Sequence, residues 1–204
     1  MFNQCSKLDV DLSNWDVSQS RSCRAMFLQC RNFRAQGLEK WAKRVAKVED
    51  FTYMFLGCNN VNFSPNDWEL KSVRKLESMF DGCINLGSGT KEIDVTKWTP
   101  YIQRVSDFTA LFKNVRNFTG KGVEGWFINE RHNAKKLSRM FAGCSNFNAD
   151  LSSWKVKNVE SFSGLFDGCI QFTGQGLKGW DVSSATDLSD MFKEARLMTE
   201  KLDG

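Results

Sequence analysis

The sequence predicts an α/β solenoid of about seven coils, each about 25–32 residues long and each carrying one short parallel strand and one short helix. Three observations predict it. A dipeptide recurs at near-constant spacing, every interval holds one tryptophan, and each unit runs from a helical apolar pattern into an alternating one.

The dipeptide is Met-Phe, twice Leu-Phe, starting at Met1, Met26, Met54, Met79, Leu111, Met140, Leu165 and Met191, in steps of 25, 28, 25, 32, 29, 25 and 26 residues. The intervals contain Trp15, Trp41, Trp68, Trp98, Trp126, Trp154 and Trp180, one each, with none left over. These indoles are expected to stack as a buried core ladder. Cys5, Cys30, Cys58, Cys83, Cys144 and Cys169 sit four residues after the Met or Leu, where Val115 and Ala195 stand in two other units. A slot shared by Cys and small apolar residues reads as packing. No Cys-x-x-Cys pair exists and the single histidine, His132, has no neighbouring cysteine, so zinc spacing is absent. Helices packed side by side would hold equivalent cysteines beyond the roughly 7 Å Cα limit for a bridge, so free thiols are expected.

The helical part is clearest at Val159, Phe162, Leu165 and Phe166, which share one helical face. Ser72, Asn158 and Ser184 sit where an N-cap belongs, and Gly57, Gly82, Gly143 and Gly168 where a left-handed residue would end the helix. Helices of roughly eight to ten residues do not persist alone and need neighbours. The strand part is Leu-x-x-Trp-x-Val, as in Leu12, Trp15, Val17; Leu151, Trp154, Val156; and Leu177, Trp180, Val182. Pro65, Pro100 and Lys43 disturb it elsewhere. Strands stack about 4.8 Å apart and helices about 8–10 Å apart, which would curve the array with its strands on the concave side.

Leu-x-x-Trp-x-Val resembles the strand signature of leucine-rich repeats. The fuller unit from Met140 to Val156, Met-Phe-Ala-Gly-Cys-Ser-Asn-Phe-Asn-Ala-Asp-Leu-Ser-Ser-Trp-Lys-Val, resembles the BspA-like surface-protein repeats of mycoplasma-type lipoproteins. That resemblance covers essentially the whole chain. It implies a non-enzymatic array without cofactor, displayed at a cell surface and binding proteins or host components. Met-Phe-Asn-Gln-Cys5 lacks the apolar run of a lipoprotein signal, and the chain opens inside a helix pattern and closes inside a coil. Residues 1–204 are therefore expected to be one repeat domain, a segment of a longer array or one with its ends covered by partners. Uncapped coils would favour end-to-end association.

The charge balance, 28 Lys and Arg against 24 Asp and Glu, is mildly basic, and no 18-residue apolar run suggests a transmembrane helix. Between Arg21 and Lys47 eight cations face Glu39 alone. No catalytic constellation and no metal set appears, and no cofactor is expected. His132 reads as filler of an exposed loop. Gly87-Ser-Gly89 and Gly120-Lys-Gly122 read as turns, and Asn62 and Asn117 fit glycosylation sequons.

The informative surface is the strand face opposite the core. Asp67, Glu69 and Lys71 come from one coil; Tyr101 and Phe127 are the aromatics expected to be exposed on it, the alternative for Phe127 being cover by an insertion loop. With Lys97, Lys155 and Lys157 they would form an amphipathic patch of hot-spot character, with Lys40 and Arg44 as further contacts. The Trp-to-helix connection, five residues in most coils, is seven at Trp41–Val48 and Trp98–Val105 and eight at Trp126–Ala134. The expected function is a non-enzymatic protein–protein interaction scaffold binding through the concave strand face and adjacent loops. The alternative is a peripheral subunit or linker of a large assembly, held by open ends and the basic stretch. Nucleic acid is not expected, because no basic stripe with interleaved aromatics runs along the face.

Overall fold

The computed structural model describes residues 2–200. Among them there is no α-helix and no extended strand. Regular structure is confined to five 3-10 turns, Leu38–Trp41, Thr96–Trp98, Ile102–Arg104, Val123–Gly125 and Leu177–Gly179. Five isolated parallel bridges join Ser22 to Asp50, Asp50 to Lys75, Asp107 to Lys136, Lys136 to Ser161 and Ser161 to Asp187. The expected α/β solenoid, with a helix and a strand in every coil, is not formed. Neither the sheet nor the even spacing of a leucine-rich-repeat solenoid is present. The repeats are built from turns.

The reason lies in where the backbone N–H groups go. In the segment read as a helix, alternate residues donate to the following repeat. Leu137, Arg139, Phe141 and Gly143 donate to the carbonyls of Ser161, Ser163, Leu165 and Asp167 at 2.6–3.2 Å. The residues between them, Met140, Ala142 and Cys144, donate three back, to Leu137, Arg139 and Phe141. This alternation needs two left-handed residues per repeat. One precedes the Met or Leu, as at Ala25, Tyr53, Ser78, Ala110, Arg139 and Asp190; the other lies three after it, as at Gln29, Gly57, Gly82 and Asn114. A left-handed alanine or tyrosine costs about 1–2 kcal/mol and cannot sit inside a helix. Eight or so residues form too short a helix to compete with bonds shared between repeats.

Leu-x-x-Trp is likewise a turn. The N–H of Trp15, Trp68, Trp98, Trp126, Trp154 and Trp180 donates to the carbonyl three residues before it, at 2.9–3.0 Å. That same carbonyl accepts the next repeat's indole. Trp41 Nε1 donates to Leu12, Trp68 to Leu38, Trp98 to Pro65, Trp126 to Val95, Trp154 to Val123 and Trp180 to Leu151, at 2.8–3.5 Å. Trp41, Trp68, Trp98, Trp126 and Trp154 are fully buried, while Trp15 and Trp180 are partly buried. Beside them the phenylalanines of the dipeptide stack near-parallel from Phe2 through Phe27, Phe55, Phe80, Phe112, Phe141 and Phe166 to Phe192, with centroids 5.5–6.4 Å apart. Each buried aromatic contributes on the order of 1.5–3 kcal/mol before ordering costs.

The cysteines use the same device. Sγ of Cys30, Cys58, Cys83, Cys144 and Cys169 donates to the carbonyl of the preceding repeat's phenylalanine, at 2.6–3.2 Å. All seven cysteines are free, and only Cys5 is exposed. The helix spacing expected to keep the thiols apart does not exist, because bonded turns bring successive cysteines within electrostatic reach of each other. Burial pushes the Cys23 thiol up to about 11 and Cys58 to about 12, the latter with a smaller push from Cys30.

One seam differs from the rest. In five of the six seams, two consecutive N–H groups share one carbonyl of the repeat before. Glu49 and Asp50 share Arg21, Arg74 and Lys75 share Glu49, Lys135 and Lys136 share Ser106, Glu160 and Ser161 share Lys135, and Thr186 and Asp187 share Glu160. Ser106 and Asp107 make no such bond to Arg74, and Leu76 makes none to Asp107. This open seam coincides with the longest repeat step, 32 residues, and with the turns at Thr96–Trp98 and Ile102–Arg104 on either side of Pro100.

Gly122 takes φ +94°, and a Cβ there would collide with the backbone of Val95 and Thr96. Gly122→Ala should therefore destabilise the chain by about 3 kcal/mol in urea unfolding, from backbone strain plus overlap. Gly179, with open space around it, should tolerate alanine with little change. The buried thiols give a second expectation. A thiol unfolds to an ionisation near 9.0, so groups raised to about 11 and 12 lend stability that is complete below pH 9. It is lost as the pH climbs through that range. Urea melts from pH 8 to 11 should show this loss, and Cys58→Val should reduce it.

Candidate functional site

The open seam leaves a groove on the tryptophan face. Ala42, Lys43, Trp68, Glu69, Pro100 and Tyr101 line a hollow of about 510 Å³. A second hollow of about 400 Å³ lies alongside, lined by Ser64, Asn66, Asp94 and Thr96. Asp67 and Lys97 border both.

The groove arises because the chain after Trp98 turns away. At Ala42 and Phe127, the residues following two other tryptophans, the carbonyl is filled by the next repeat's N–H, from Glu69 at 2.8 Å and Lys155 at 2.6 Å. The equivalent donor for the Glu69 carbonyl is Thr99, whose N–H instead turns back to Thr96 at 3.3 Å, ahead of Pro100. Among the described residues nothing donates to the Glu69 carbonyl. The side chains around it are paired locally. Lys97 Nζ lies 2.6 Å from Asp67 and Lys71 Nζ 2.6 Å from Glu69. The hydrogen bond from Lys71 holds the Glu69 carboxyl below its ordinary range, and those to Asp67 and Glu69 raise the lysines Lys97 and Lys71. These pairs are exposed and screened by salt, so they shape the groove more than they stabilise the fold. Tyr101 is half-buried at the wall, and Lys43 makes no ion pair among the described residues but acts on the Glu69 carboxylate through space.

The expected patch is only partly assembled. Lys97 and Tyr101 meet at the groove. Lys155 and Lys157 line a separate hollow with Glu130, Trp154 and Asp181, where Lys157 lies 3.8 Å from Asp181. Lys40 is exposed and acts on Asp11. Arg44 is spent inside the array, donating to the carbonyls of Ser13 at 2.8 Å and Trp15 at 2.7 Å. Much of the basic stretch is engaged in the same way, Arg21 with Glu49, Arg24 with Asp50, Arg34 with Asp9 and Lys47 with Gln19.

For Phe127 the structure gives the alternative reading, cover by the insertion loop, and corrects the expected exposure. The residue is 0% exposed and packs edge-on to Trp154 and Phe108, with centroids 4.6 and 5.3 Å away. The long connection after Trp126 folds over it. His132, expected as exposed filler, is buried beneath that loop, 4.8 Å from the Phe127 ring. Its Nε2 donates to the Lys155 carbonyl at 2.7 Å and its Nδ1 accepts the Ala134 N–H at 3.2 Å, the pattern of a neutral ring protonated at Nε2. Both sequon asparagines are engaged too: Asn62 donates to Ser88, and Asn117 to the Ile84 and Leu86 carbonyls.

Sequence reasoning set Asp67 and Glu69 on the strand face without counting them in the patch, and passed over Lys43 and Pro100 as site residues. The available signal was Pro100 beside a lengthened connection. No helix among the described residues is long and apolar enough to cross a membrane.

A family model described as "Mycoplasma protein of unknown function, DUF285" matches the chain twice, over residues 1–92 and 85–204. No curated protein matches, and no solved structure matches.

Phe127→Ala should behave as a core truncation, lowering unfolding free energy by about 3–5 kcal/mol in urea melts. An exposed hot spot would leave stability within about 0.5 kcal/mol of the parent chain.

Proposed function

We propose that this chain, which belongs to the DUF285 family of Mycoplasma proteins of unknown function, is a non-enzymatic scaffold that binds a protein partner through the Tyr101 groove. The observation that carries the reading is an interruption. At Ala42 and Phe127 the next repeat fills the carbonyl that follows the tryptophan, whereas here the Glu69 carbonyl takes no donor among the described residues and half-buried Tyr101 and Lys43 line the same hollow. A rigid aromatic beside a backbone acceptor suits capture of a peptide segment. Kinship with BspA-like surface proteins belongs to the same proposal. It rests on the repeat unit Met140–Val156 and does not extend to a helix-and-strand coil.

The test places a photo-crosslinking phenylalanine analogue at Tyr101 in the cells that make the protein. A discrete protein adduct, absent when the analogue sits at exposed Lys7, is the expected result. Tyr101→Ala should then weaken binding to that partner at least tenfold. Equal yields from both positions would contradict the reading.

A further inference from the structure

The open seam has a second side, away from the groove. There Arg24, Thr52, Arg74, Lys75, Ser106 and Asp107, with Glu77, surround a notch of about 240 Å³. We propose that this notch is a binding site for an oxyanion, a carboxylate or phosphate group held by the paired N–H groups of Ser106 and Asp107 and by Arg74 and Lys75.

The repeat supplies its own comparison. In five seams the equivalent pair of N–H groups converges on a single oxygen, at 2.8–3.4 Å. In each of these five seams the pair forms a cradle for one oxygen. At Ser106 and Asp107 neither N–H has an acceptor among the described residues, and the Arg74 carbonyl receives no donor among them. Successive N–H groups arranged this way favour anions. Leu76, fully buried, adds a backbone N–H with no acceptor among the described residues in the same seam.

The charges agree. Lys75 is exposed and has no ion-pair partner among the described residues. Arg74 holds Glu49 only at 3.7 Å and Arg24 holds Asp50 only at 4.0 Å. The two carboxylates in the notch are already committed. Glu77 accepts the Tyr53 hydroxyl at 2.7 Å, and Asp107 accepts the Thr109 N–H at 2.9 Å with Lys136 3.7 Å away. A charged oxygen would make stronger bonds to these donors than water does. This site stands apart from the groove and does not depend on it.

The test is an amide NMR titration of the full chain at constant pH and ionic strength, with sodium phosphate in one arm, sodium acetate in another and sodium chloride as reference. Saturable shifts at Ser106 and Asp107, absent at the filled pair Lys135 and Lys136, are expected. Tighter phosphate than acetate would assign a free phosphate-type ligand, and comparable affinities a carboxylate side chain; either supports the site. Arg74→Gln with Lys75→Gln should weaken the response at least fivefold. Both side chains are exposed, so the fold should survive, and Lys75→Gln alone serves if it does not. Shifts no larger than with chloride, shifts shared by Lys135 and Lys136, or an unchanged response in the lysine variant would each overturn the proposal.

Discussion

The architecture depends on carbonyl oxygens that each accept two hydrogen bonds, one from within the repeat and one from the repeat that follows. The carbonyl three residues before each tryptophan takes a backbone N–H and then an indole. The phenylalanine carbonyl takes a backbone N–H and then a thiol. A buried polar atom without a partner costs about 1–3 kcal/mol, so each side chain that fills a second lone pair fixes the spacing and rotation of its neighbour. Tryptophan and cysteine therefore recur as donors as well as packing residues. Aromatic stacking supplies the burial, and the shared oxygens supply the register.

That arrangement explains why several polar side chains are held within the array. Arg44, Asn62, Asn117 and His132 look like recognition residues in the sequence, yet each is occupied by a neighbouring repeat. Where the 32-residue step and Pro100 break the pattern, the Glu69 and Arg74 carbonyls and the Leu76, Ser106 and Asp107 N–H groups have no partner among the described residues. The groove and the notch on the two sides of the open seam follow from that interruption. Irregularity in a repeated structure is thus where binding chemistry becomes available.

Some of this was legible in the residues. The repeat spacing, the tryptophan lattice and the packing role of the cysteine slot can be read directly, because burial selects residue type at fixed intervals. The helix at Val159–Phe166 was misread because apolar positions at i, i+3, i+6 and i+7 also fit successive three-residue turns. Left-handed residues such as Tyr53 and Arg139 carry no compositional mark, so nothing in the sequence announced them. Leu-x-x-Trp was misread for the same reason: a spacing of three closes a turn as readily as it labels a strand end. Lys97 and Tyr101 line one groove, whereas Phe127 is buried; its exposure or cover was left open by the sequence, since a covering loop is a tertiary fact.

The shared-oxygen account is tested most directly by hydrogen exchange at the seven indole N–H groups, resolved by NMR. Slow exchange is expected for Trp41, Trp68, Trp98, Trp126, Trp154 and Trp180, each bonded to the preceding repeat, and fast exchange for Trp15, whose indole makes no such bond. Seven indoles exchanging at the rate of free tryptophan would show that the oxygens are not shared, and the account would fail.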